Sequence, residues 1–138
     1  MRYERCSLSH LPDLYQAFRS GFADYIVSLD VPYEVFAGRW FQPAWNQLEH
    51  SFIAYDGASP IGMILGGIRQ YEGLRTMRCG GLCVSPDYRR RGVAQALYQL
   101  HRQQAIDNRC QQIFLEVIAT NQPAINFYGR WVTRKSTT

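Results

Sequence analysis

The sequence predicts a mixed α/β (α+β) fold, a central mixed sheet flanked by helices, and three stretches carry that expectation. Leu82 to Ala94 reads as a strand ending at Val84, a proline-marked turn at Pro86, and a glycine-opened helix start with Arg89, Arg90 and Arg91 at the junction. Gln112 to Ala119 is a nearly continuous apolar run, the pattern of a strand buried on both faces. Ser51 to Tyr55 and Ile61 to Arg69 read as strands joined by Asp56-Gly57-Ala58-Ser59-Pro60, a strong hairpin turn.

The remaining elements follow in order. Arg2 to Cys6 is a candidate first strand, and Ser9 reads as the N-cap of a helix reaching Phe18 to Gly21, with Pro12 in its first turn. Asp30, Pro32 and Tyr33 interrupt any periodicity, and Val35, Phe36, Trp40, Phe41, Trp45 and Leu48 then suggest a second helix over 33–48, kinked or ended at Pro43. A third long strand spans Leu74 to Val84. Its paired Gly80-Gly81 marks either a bulge with close backbone approach or simple relief of crowding. Val93, Ala96, Leu97 and Leu100 form the apolar stripe of a helix to Asn108. The residues 122–130 read as a last helix, with Asn121 as N-cap and Pro123 in the first turn.

The 138 residues fit one domain, 1–138. With 46% hydrophobic and 19% charged residues the chain is of globular, not disordered, composition. No run approaches the ~18 apolar residues of a membrane span, and Met1 to Cys6 lacks the apolar core of a signal peptide, so a cytoplasmic protein without a membrane partner is expected. The charge of +4 is modest, and Arg89 to Arg91 gather in one place. A polyanionic small molecule accounts for them; no basic stripe with interleaved aromatics points to nucleic acid. Cys6, Cys79, Cys83 and Cys110 lack metal-type spacing, so no metal is expected and the thiols read as reduced and mostly buried. His10, His50 and His101 read as surface or capping residues.

A helix N-terminus exposes about four amides with no intrahelical partner and carries roughly half a positive charge, so the start of the helix at Gly92 is suited to anionic oxygens. Gly92 permits close approach, and Ala94 adds little bulk. The spacing Arg89-x-x-Gly92-x-Ala94 resembles the acetyl-CoA signature of the GCN5-related N-acetyltransferase (GNAT) family. A second block, Leu115-Glu116-Val117 followed by Asn121, Ala124 and Phe127-Tyr128, also resembles that family and stands in the expected order.

The resemblance implies a GNAT-like sheet and acetyl-CoA as cosubstrate. It places the main-chain N–H of Leu82 against the acetyl carbonyl, Leu82, Cys83 and Val84 along the pantetheine arm, and the pyrophosphate at the backbone of Arg91, Gly92, Val93 and Ala94. Arg89 and Arg91 would face the phosphates, with Arg90 more solvated. Tyr128 would be the general acid for the leaving thiolate, and Asn121 a cofactor contact as well as a cap. Glu116 is the candidate base, acting through water; a structural ion pair is its alternative. Partial burial is expected to raise its pKa. The family's other base position falls on Arg78, which cannot serve. Phe22, Tyr25, Tyr33, Phe36, Trp40 and Trp45 are expected to mix core with acceptor-pocket wall, where Asp24 and Glu34 would attract a cationic amine.

The expected activity is direct acetyl transfer to a primary amine, small or peptidic, in a ternary complex. A non-catalytic acyl-CoA-binding module of the same fold is the alternative. The family continues with two more strands where this sequence has only 131–138. Enough chain for one strand suggests an open sheet edge, and hence a homodimer.

Overall fold

A computed structural model describes residues 1–23, 31–39, 41, 45–117 and 136–137. Among these residues six strands, β1 (Arg2–Arg5), β2 (Gln47–Asp56), β3 (Ser59–Tyr71), β4 (Leu74–Val84), β5 (Gln112–Val117) and β6 (Ser136–Thr137), lie side by side in chain order. β1 to β4 pair antiparallel, whereas β4–β5 and β5–β6 pair parallel. A parallel neighbour requires a crossover, and α3 (Val93–Asp107) supplies it between β4 and β5.

Helices cover both faces. In α1 (Leu11–Gly21), Leu14, Ala17, Phe18 and Gly21 are buried at spacings of three and four, so a single stripe faces the sheet. Together with Phe36 of α2 (Tyr33–Arg39) they pack on Ile53, Met63, Leu65 and Cys83. On the opposite face Val93, Leu97 and Tyr98 of α3 pack on Phe52, Ala54, Ile64, Cys79, Val84 and Leu115. β3 is buried without interruption from Pro60 to Ile68, because both helical layers lean on it.

Three local readings are corrected. The start of α1 is capped by His10, not Ser9, which lies inside a preceding 3-10 turn (Leu8–His10). There the Ser7 main-chain N–H donates to His10 Nδ1 at 3.0 Å. The second helix stops at Arg39, and Gln47 already pairs with Gly66 in the sheet. Trp45 has a left-handed backbone (φ 71°) and stacks 6.4 Å from Phe114, so sheet and aromatic packing override the apolar spacing that suggested a longer helix. His101 is fully buried on α3 instead of lying at the surface, and His50 is half-buried with Gln104 Nε2 2.9 Å from its Nδ1. The proposed last helix, 122–130, lies outside the described residues.

β4 runs from Leu74 to Val84 as expected, and the double glycine does mark a bulge. Leu65 pairs with Gly81 and Gly66 with Cys79, leaving Gly80 as the extra residue. A Cβ on Gly80 would overlap the side-chain amide of Asn46, so close approach and bulge coincide at one residue.

Candidate active site

The bulge divides β4 into two parts. Parallel pairing with β5 extends from Thr76↔Gln112 to Cys79↔Leu115; beyond it β5 pairs with β6 through Glu116↔Ser136 and Val117↔Thr137. Among the described residues, Gly81 to Val84 pair only with β3. No described strand pairs with the other edge of that segment, and an extended chain can add to such an edge through main-chain hydrogen bonds. Leu82, Cys83 and Val84 lie in this segment. Leu82 leans on the α3-side core, and the buried Cys83 thiol lies 3.5 Å from the Ala17 carbonyl oxygen on the α1 side. Burial pushes the Cys79 and Cys83 thiols up to about 12, which makes them packing groups rather than nucleophiles.

After Val84 the chain is pinned by the Ser85 N–H donating to Ile61 O at 2.8 Å, then makes a 3-10 turn, Pro86–Tyr88. Arg90 takes a left-handed backbone, φ 64°, and Gly92 another, φ 81° and ψ 7°, as the N-cap of α3. Only glycine adopts that second conformation without strain. The Ala96 N–H donates to Gly92 O at 3.0 Å, so the amides of Val93, Ala94 and Gln95 precede the first intrahelical bond. Among the described residues a Cβ on Gly92 would meet nothing within 4 Å.

These features bound a cavity of about 300 Å³, lined by Val84, by Tyr88, Arg89 and Arg90, and by Gly92 to Gln95. The N-terminal residues of the fifteen-residue α3 form part of its wall, and Arg89 and Arg90 add positive charge. The donor set fits a pyrophosphate: main-chain N–H groups, a helix dipole and no carboxylate in the lining.

The three arginines differ. Arg91 lies with its guanidinium 5.1 Å from the centre of the Tyr88 ring, and the Tyr88 hydroxyl donates to Asp56 Oδ2 at 2.6 Å. That bond holds the Tyr88 hydroxyl above its usual pKa. Arg90 is exposed. Arg89, expected to face the phosphates, is in the cavity lining, and its guanidinium also bonds main chain: Nε donates to Val84 O at 3.0 Å and Nη2 to Gly21 O at 2.8 Å. Tyr88 and Gln95 are lining residues that the motif reading missed; both directly neighbour motif positions, and that adjacency was the available signal.

Glu116 is placed on β5 by its backbone, one residue past the last β4 contact. Its side chain, Asn121, Tyr128, Tyr25, Trp40 and Asp24 lie outside what the structure describes. Phe36 belongs to the core, 5.0 Å from Phe18 between ring centres, whereas Trp45 stands apart with Phe114 and Tyr71. No cluster of His, Cys, Asp and Glu that could hold a metal ion occurs among the described residues, and no described helix is long and apolar enough to cross a membrane.

Known proteins resemble this chain in sequence and in fold. N-alpha-acetyltransferase 30 of Dictyostelium discoideum is 31% identical over 100 residues, covering 72% of this chain and 53% of its own length. N-alpha-acetyltransferase MAK3 of Arabidopsis thaliana is 32% identical over 106 residues, covering 74% and 53%. The chain therefore spans about half the length of these relatives. Among solved structures, the NatC complex bound to Gag peptide and CoA superposes with a TM-score of 0.74 at 24% identity, over 94% of this chain and 81% of that one. An aminoglycoside acetyltransferase from an uncultured soil metagenomic sample reaches 0.77 at 16% identity, over 99% and 91%. The sequence model of the acetyltransferase (GNAT) family matches residues 11–132, and the chain belongs to that family.

Proposed function

We propose that the chain is an acetyl-CoA-dependent N-acetyltransferase that acts on the α-amine of a peptide. The observation that carries this reading is the continuity of Gly81 to Val84, which pair only with β3 among the described residues, with the cavity at the start of α3. An extended pantetheine arm suits the first and a pyrophosphate the second. The peptide acceptor follows from the curated relatives, which are N-alpha-acetyltransferases, and from the neighbouring fold solved with a peptide.

Bound acetyl-CoA supplies an activated acyl group as a thioester. The chain's residues do the rest. Main-chain amides of Val93 to Gln95, with Arg91 beside them, hold the phosphates; Leu82, Cys83 and Val84 align the arm. The Leu82 N–H stabilises the charge that develops on the acyl oxygen. Glu116 removes the amine proton through water and Tyr128 donates a proton to the departing sulfur, within a ternary complex. Asn121 contacts the cofactor. The proposal takes the protein as cytoplasmic and, through its sheet edge, homodimeric, which light scattering at micromolar concentration tests.

The function itself is tested by thiol release from acetyl-CoA against N-terminally free peptides differing in their first two residues, with aminoglycosides in parallel. Turnover with peptides supports the reading, and turnover with aminoglycosides alone moves the acceptor class. Calorimetric binding of CoA with no turnover on any amine would favour the non-catalytic acyl-CoA-binding module.

A further inference from the structure

We infer that Arg89 is a positioning residue that anchors the cofactor cradle to the C-terminal end of α1, an inference that rests on the cofactor reading above. Gly21 closes α1, and its carbonyl is one of the acceptors a helix end leaves without an intrahelical partner. Arg89 Nη2 donates to it at 2.8 Å while Nε donates to Val84 O at 3.0 Å. The guanidinium is a rigid fork, so these bonds fix the end of α1 against the end of β4 in direction as well as distance. A cation at a helix C-terminus is also favoured by the helix dipole.

Independent contacts close the same junction. Ser20 Oγ lies 2.6 Å from Ser85 Oγ, and Gly21 approaches so closely that a Cβ there would stand 2.5 Å from Cys83 Sγ. Arg89 opens the four-residue segment whose last member, Gly92, caps α3. Within it Arg90 holds a left-handed backbone that a non-glycine residue adopts only under constraint from its surroundings. Arg89 supplies the constraint at one end and α3 at the other. The amides of Val93 to Gln95 are thereby presented at a fixed place relative to the arm site on β4.

The test pairs calorimetry using CoA with hydrogen exchange of the Phe22 amide, which donates to Phe18 O at 3.1 Å and reports the end of α1. Arg89→Gln and Arg89→Lys should each weaken CoA binding by about tenfold or more, the equivalent of a lost charge-assisted hydrogen bond, and speed Phe22 exchange in the free protein by a similar factor. Arg91→Gln should weaken CoA binding with wild-type exchange. Full rescue of affinity by lysine would overturn the inference, since charge alone would then suffice; so would lost affinity with unchanged exchange. If the Arg89 variants fail to fold, Ser20→Ala carries the test: weaker CoA binding with faster exchange supports the anchor, and wild-type values for both overturn it. Absence of CoA binding by the wild-type protein would defeat the cofactor reading itself, while the exchange measurements still decide whether Arg89 secures α1.

Discussion

Gly66 lies against the imidazole of His101: a Cβ on the glycine would stand 3.0 Å from His101 Nδ1 and 2.5 Å from the His50 carbonyl oxygen. The second neighbour is backbone and cannot step aside as a side chain tip would. Gly66→Ala is therefore expected to destabilise the fold by about 1–3 kcal/mol, the usual range for overpacking a core. Urea denaturation checks this: the midpoint should fall with an unchanged slope, and a wild-type midpoint would show that β2 and β3 separate freely.

His101 itself is fully buried, with neither ring nitrogen hydrogen-bonded among the described residues. Burial lowers its pKa to about 3. The unfolded chain, titrating near pH 6.5, binds the proton more readily, so the folded state loses stability as pH falls from about 6.5 toward 3, at up to about 1.4 kcal/mol per pH unit. His101→Leu removes the titration and the unsatisfied nitrogens together. It is expected to be neutral or stabilising at pH 7 and increasingly stabilising at pH 5. An unchanged pH slope between variant and wild type would place the acid sensitivity elsewhere, with His50, whose pKa is also lowered mainly by burial, as the next candidate.

At Gly92 the cost is conformational rather than steric, because φ is 81° and no atom lies where a Cβ would go. Gly92→Val should cost about 1–2 kcal/mol through the left-handed backbone and weaken CoA binding by disturbing the amides that follow. Gly92→Asn should lose less, since asparagine tolerates that region better. Calorimetry and thermal melts of the two variants test the ranking; equal behaviour would mean the turn relaxes to another conformation.

The catalytic roles proposed for Tyr128 and Glu116 make a separate prediction. Tyr128→Phe should lower turnover by about 10²-fold or more while leaving CoA affinity nearly unchanged, because proton donation acts in the transition state. Glu116→Gln should flatten the acidic limb of the pH–rate profile. Wild-type rates in both variants would leave proton transfer to solvent and remove both residues from the mechanism.

Where local chemistry decides, the structure was legible in advance. β4 was bounded by the turn at Gly73 and by Pro86, and its bulge by the paired glycines. The helix after Gly92 announced itself by cap and stripe. Two failures have physical reasons. Phe36 and Trp45 share an apolar spacing but serve different surfaces, one in the α1-side core and one against Phe114, and a single periodic pattern cannot show that the chain leaves a helix between them. His101 lies four residues after Leu97, on a buried stripe that continues to Gln104 and Ala105, so its burial was available from helix geometry but was set aside on residue type. The bond from Arg89 to the Gly21 carbonyl had no such signal, since that acceptor is a main-chain oxygen 68 residues away.

The parallel seam between β4 and β5 also bears on the order in which the molecule assembles. β3 and β4 meet across Glu72 and Gly73, with Tyr71 facing Leu74, whereas Cys79 finds Leu115 only after the whole of α3 has been spanned. Closing the short loop costs little chain entropy and the long one more, so the β3–β4 hairpin is expected to form early and β5 to dock late. Mutations of Ile64 or Leu65 should then slow refolding, while mutations of Ile113 or Leu115 should chiefly speed unfolding. The cavity at the head of α3 sits on that late crossover, so the proposed phosphate site would become competent only as the last strands come home.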